Sequence, residues 1–126
     1  MVFLIRLAAL LALASAACFA ETWSGPLVDS KCYGAEQRNV NPTDTQTYVD
    51  VDRGYEIRYC SPTHKTKLFA IVSPEGERLK FDDAGNAKAA GLVRNYNRKR
   101  ILEVTVSGEM AGKAIKVQSI SALPAR

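Results

Sequence analysis

The sequence has 126 residues, 47% of them hydrophobic, and its 17 Lys and Arg against 13 Asp and Glu give a formal net charge of +4. That length admits one domain and excludes a second of ordinary size. The basic excess is too small to mark a nucleic-acid binder by charge alone.

In chain order, Arg6 is a lone early cation, and residues 7–14 (LAALLALA) form an apolar run of signal-peptide length. Cys18, Phe19 and Ala20 place small residues three before and one before a cut, so residues 1–20 read as a signal peptide cleaved after Ala20. Two other readings stand beside this one. An uncleaved anchor would use a segment short of the roughly 20 residues a span needs. A lipoprotein would acylate Cys18, although Ser15 holds the position where such signals usually carry leucine. Cleavage leaves residues 21–126 as one periplasmic or secreted domain with no transmembrane span. It also removes Arg6 and Cys18, leaving 16 basic against 13 acidic side chains and two cysteines, Cys32 and Cys60. Export favours joining those two in a disulfide, which would close a long loop over residues 31–66.

Trp23, Pro26, Leu27 and Val28 make the first strand, with Gly25 marking a bulge or tight bend. Residues 31–66 lack clear periodicity, and a connection that long is uncommon unless pinned. A short helix or turn is expected near residues 49–60. Four of the five tyrosines (Tyr33, Tyr48, Tyr55 and Tyr59) fall in this loop. Packing of their rings onto the domain is the expected arrangement, and a binding surface the alternative.

From residue 67 to 123 the chain reads hairpin, helix, hairpin. LFAIV (68–72) is a continuous apolar run, expected of a central strand covered on both faces. Ser73, Pro74, Glu75 and Gly76 turn it. The return strand alternates, with Leu79 and Phe81 inward and Arg78 and Lys80 outward. Asn86 is the expected cap of a helix from Ala87 to about Arg94, with Ala89, Leu92, Val93 and Tyr96 as its apolar stripe and Gly91 letting it lie close to the sheet. The fourth strand carries Leu102, Val104 and Val106 on one face, residues 108–112 turn it, and the fifth puts Ile115 and Val117 inward. Ile120 breaks that parity, so a bulge or the strand end is expected there, with fraying from residue 121. The order β-(long loop)-β-β-α-β-β predicts an all-β domain with one short helix: a five-stranded, OB-like Greek-key barrel.

The opening WSGPLVDSKC (23–32) and the closing VTVSGEMAGKAIKVQSI (104–120) resemble a family of small exported bacterial proteins. In that family a signal peptide precedes W-x-G-x-L-x-D-x-x-C, and a V-x-V-x-G…I-x-V-x-x-I hairpin closes the domain. The resemblance covers nearly all of residues 21–126. It implies an OB-like fold and export, and it brings no assigned activity or catalytic residues.

Chemistry-bearing motifs are sparse. Cys32, Cys60 and His64 offer three soft ligands, one fewer than a structural zinc site usually holds. Asp50 and Asp52 lack a calcium-loop signature. Cys60 with His64 would need a free thiol to act as a nucleophile pair. The sequence therefore predicts no enzyme, no metal and no cofactor. Its richest cationic stretch is Arg94, Tyr96, Arg98, Lys99 and Arg100, where guanidinium and ammonium groups flank an aromatic ring. That composition suits an anionic glycan or lipid headgroup, and an exported location disfavours nucleic acid; a solvated basic connector is the plainer reading. The leading expectation is a non-enzymatic exported binding or accessory module for an anionic or small polar ligand. The alternative is a structural or envelope-associated interaction domain working through the tyrosine-rich loop.

Overall fold

The structure is a computed structural model, and it describes residues 20–39, 43, 45–96 and 100–124. Its elements run β1 (Glu21–Asp29), α1 (Ser30–Arg38), α2 (Gln46–Tyr59), β2 (Phe69–Val72), β3 (Arg78–Phe81), α3 (Asp83–Arg94), β4 (Glu103–Ala111) and β5 (Ala114–Ala122). The strands close into a barrel in the order β1-β2-β3-β5-β4. All neighbours are antiparallel except β3 and β5, which meet in parallel over Lys80↔Ala114 and Phe81↔Ile115. This is the expected OB-like barrel with its helix between the third and fourth strands.

β1 serves two partners. Glu21–Pro26 pairs with β4, and Leu27–Asp29 pairs with β2. Gly25 sits at the handover, where a Cβ would collide with the carbonyl of Val72. The expected bend is thus a close approach of two backbones, for which only hydrogen leaves room.

β2 explains why its sequence is apolar throughout. Phe69 and Ile71 enter the barrel interior with Leu27, Phe81, Val104, Val106 and Ile115. Ala70 and Val72 face outward into a second cluster with Val28, Tyr33, Ile57 and Cys60, beneath the two helices inserted between β1 and β2. Neither face meets water, so no alternation can develop.

That insertion departs from expectation in part: α2 stands where a short helix or turn was expected near residues 49–60, and α1 was not expected. Residues 31–66 hold two helices, so the domain has three helices among the described residues rather than one. Asp29 starts α1 by accepting from the Cys32 amide at 3.1 Å, and Thr45 caps α2 through the Tyr48 amide at 3.4 Å. The two helices are joined by the Cys32–Cys60 disulfide, with Cα atoms 5.4 Å apart across 28 positions of sequence. Closing a loop of that length stabilises by about 3–4 kcal/mol. Arg78 points outward from the barrel as expected, but α1 covers it and leaves it half-buried. It lies where a side chain on Gly34 would sit and donates to the Ser30 carbonyl at 2.7 Å, tying α1 to β3.

α3 begins earlier than its sequence suggested. Asp82 is the cap, accepting from the Gly85 amide at 2.9 Å, with Asp83 in the first turn. Asn86 lies inside the helix and accepts from the Phe69 amide at 2.9 Å, fastening α3 to β2. The expected stripe packs inward: Ala89 and Val93 are buried, and Leu92 and Tyr96 lie against the same cluster. The close approach, however, is at Gly85, where a Cβ would strike Val117 and Phe81. Gly91 faces open space.

The last hairpin turns tightly at Gly112, whose φ of 64° suits glycine. Gly108 lies within β4 rather than in the turn. Beside it the register shifts: Ser107 pairs with Ser119 and Gly108 with Val117, which leaves Gln118 as the extra residue. This bulge restores the parity of β5, so Ile120 again packs against the core. Ser121 and Ala122 remain paired with Thr105 and Val104, beyond the point where fraying was expected.

Candidate functional site

The stretch 94–100 leaves the C-terminal end of α3. Arg94 and Arg100 are exposed, and neither forms an ion pair among the described residues. Tyr96 is half-buried, with its ring against the barrel core and its hydroxyl donating to the Ile101 carbonyl at 2.7 Å. That hydroxyl helps close the connection to β4, so Tyr96 has a structural part to play besides any ligand contact. Arg98 and Lys99 lie outside the described residues.

The tyrosine-rich loop divides. Tyr33 is 2% exposed and fills the cluster under α1, as expected of a packing ring. Burial pushes its hydroxyl pKa up, with Glu56 adding to the shift and Arg53 opposing it. The other three do not pack. Tyr48 is 65% exposed, Tyr55 65% and Tyr59 76%, and Val51 between them is 54% exposed. Separations of three, four and four residues put all four on one face of α2, over about 16 Å of helix.

The opposite face of α2 holds the helix in place. Ile57 is buried in the second cluster, and Cys60 ends the helix in the disulfide. Arg53 donates to the carbonyls of Pro74 at 2.8 Å and Glu75 at 3.3 Å, and pairs with Asp50 at 3.3 Å. Glu56 carries a raised pKa, first from burial and then from the nearby Glu36 and Asp52 carboxylates, against the pull of Arg53. The helix is therefore fixed by one side while its aromatic side faces water. The spacing of Tyr48, Tyr55 and Tyr59 carried this signal, because residues seven and four apart coincide on a helix.

Two clefts flank the β2–β3 turn and share Ser24, Ser73 and Pro74. The larger, about 520 Å³, lies between the first half of β1, the turn and the end of β4. The smaller, about 340 Å³, lies between β1 and α2, beside Arg53 and Ile57. No sequence signal marked either cleft, since each lining comes from several elements far apart in the chain.

The residues considered for metal or nucleophilic chemistry are placed plainly. Cys32 and Cys60 are bridged, so neither offers a thiolate. His64 is exposed in the loop after α2. Among the described residues no three His, Cys, Asp or Glu gather in ligating geometry, and no helix is long and apolar enough to cross a membrane. Comparison of the chain with protein-family models, curated proteins and solved structures found no match.

Proposed function

We propose that this is an exported, non-enzymatic interaction domain that docks a protein partner through the aromatic face of α2. The observation that carries this reading is the exposure of Tyr48, Val51, Tyr55 and Tyr59 on one side of a helix whose other side is anchored. Tyrosine supplies large apolar area with few torsions to freeze and a polar tip that tolerates water, which is why it is enriched at protein interfaces. Export is supported by the leader-like residues 1–20 and by the Cys32–Cys60 bridge, a bond that persists in oxidising compartments.

The test is recovery of a crosslinked partner from envelope extract, using the exported protein and a Tyr48→Ala/Tyr55→Ala/Tyr59→Ala variant. The reading expects one partner, retained at high salt and lost in the variant, because apolar contacts are not screened. A partner retained by the variant, or none with either protein, would overturn it. Mass spectrometry tests the export reading: the mature chain should begin at Glu21 and be about 2 Da lighter than its reduced form.

A second reading rests on Arg94 and Arg100, exposed and without ion-pair partners among the described residues. It takes the 94–100 stretch as a grip for an anionic glycan or lipid headgroup. That binding should weaken with salt and fall in an Arg94→Ala/Arg100→Ala variant.

A further inference from the structure

The larger cleft is distinct from both surfaces above. Trp23, half-buried, and Leu79, buried, are among its apolar lining, and Met110, 40% exposed, lies at its lip. Glu75 and Glu77 add carboxylates from the turn, on either side of Gly76 with its φ of 85°. Neither carboxylate makes an ion pair or a side-chain hydrogen bond among the described residues.

Three features define what would fit. At about 520 Å³ the cleft falls within the range of small-molecule sites. Among the described residues no Lys or Arg lines it, although the whole chain carries +4. The guanidinium of Arg53, across the turn, is engaged by the Pro74 and Glu75 carbonyls and by Asp50, and it lines the other cleft. The site is thus negative in a basic protein, and its apolar part includes an indole and a thioether. An indole face attracts cations through its quadrupole, and a thioether accommodates irregular alkyl chains.

We propose that this cleft binds a primary alkylammonium group, with Glu75 and Glu77 facing the charge and Trp23 and Met110 receiving the apolar stem. The same chemistry is offered by a free alkylamine and by a lysine side chain on an extended peptide. Among the described residues, the peptide would find β1 paired on one side only over Glu21–Pro26, because β2 takes over at Leu27.

Trp23 is the chain's one tryptophan, so its emission reports on the cleft directly. The purified, disulfide-bonded protein is titrated with n-hexylammonium, with neutral n-hexanol and with an extended peptide carrying one central lysine. A saturable change with the ammonium probe is expected, about tenfold weaker with the alcohol and about tenfold weaker in Glu75→Gln/Glu77→Gln. Glu75→Asp/Glu77→Asp should retain most of the binding, which separates loss of charge from loss of fold. Glu103→Gln, in the smaller cleft, should leave it unchanged. Tighter binding of the peptide than of hexylammonium assigns the ligand to a peptide lysine; the reverse order assigns it to a free amine. No saturable change with either cation, equal binding of the alcohol, or full binding by the Gln variant would overturn the proposal.

Discussion

β1 and α2 are near neighbours in the chain, and they use their conspicuous residues in opposite ways. In β1 nearly every distinctive side chain is committed to the fold. Trp23 packs against the core, Gly25 admits the Val72 carbonyl, and Leu27 fills the barrel. Asp29 caps α1 while also accepting the Thr66 hydroxyl at 3.0 Å, and Cys32 just beyond forms the bridge. Apart from the part of Trp23 that lines the larger cleft, the W-x-G-x-L-x-D-x-x-C opening is therefore a set of folding instructions. In α2 the distinctive residues are the ones left over: Ile57, Arg53 and Cys60 hold the helix, and three tyrosines remain in water. A memorable pattern points to function where some of its surface is left without structural partners.

Substitutions can break that contrast, and their effects should fall in order. Leu27→Ala empties a fully buried site in the barrel and should cost about 2–5 kcal/mol, read from denaturant unfolding. Replacing Cys32 and Cys60 together by serine should cost about 3–4 kcal/mol, removed equally by reductant in the parent protein. Asp29→Ala loses the α1 cap and the Thr66 contact, for about 1–2 kcal/mol. At the other end of the scale, Tyr48→Ala/Tyr55→Ala/Tyr59→Ala should move stability by no more than about 0.5 kcal/mol for each exposed site. A large loss from the tyrosine variant, or none from Asp29→Ala, would erase the distinction.

Acid sharpens the same contrast. Burial opposes ionisation of Asp82, but the amide donors of Gly85 and Val117 outweigh it, helped by Lys116, and hold the carboxyl below its usual value of 3.8. Its contribution to stability is therefore complete above that usual value and is lost as pH falls through the lower folded value. Thermal midpoints should show an acid-side decline that Asp82→Asn flattens.

What could be read in advance followed from periodicity. Leu102, Val104 and Val106, and Ile115 with Val117, alternate because each strand has one wet face. The broken parity at Ile120 marked the bulge at Gln118. In residues 31–66 α1 escaped, and α2 was expected only as a short helix or turn near residues 49–60, because its larger apolar stripe faces outward. The wrong cap and the wrong glycine in α3 share one cause. Asp82 and Asn86 are both good caps, as Gly85 and Gly91 are both small, and the positions of Val117, Phe81 and the Phe69 amide decide between them. The two clefts were invisible because contributions from β1, the β2–β3 turn and β4 converge only after the barrel closes.

The parallel contact between β3 and β5 spans only two residue pairs, yet it seals the barrel. One oxygen of Asp82 accepts from Gly85, at the start of α3, at 2.9 Å and from Val117, in β5, at 3.2 Å, while the Asp82 amide donates to the Ile115 carbonyl at 2.9 Å. A single carboxylate thus acts as a latch shared by a helix start and a sheet seam. Unzipping the seam and unwinding the first turn of α3 become one motion, and the amides of Gly85 and Val117 should exchange with solvent at the same rate.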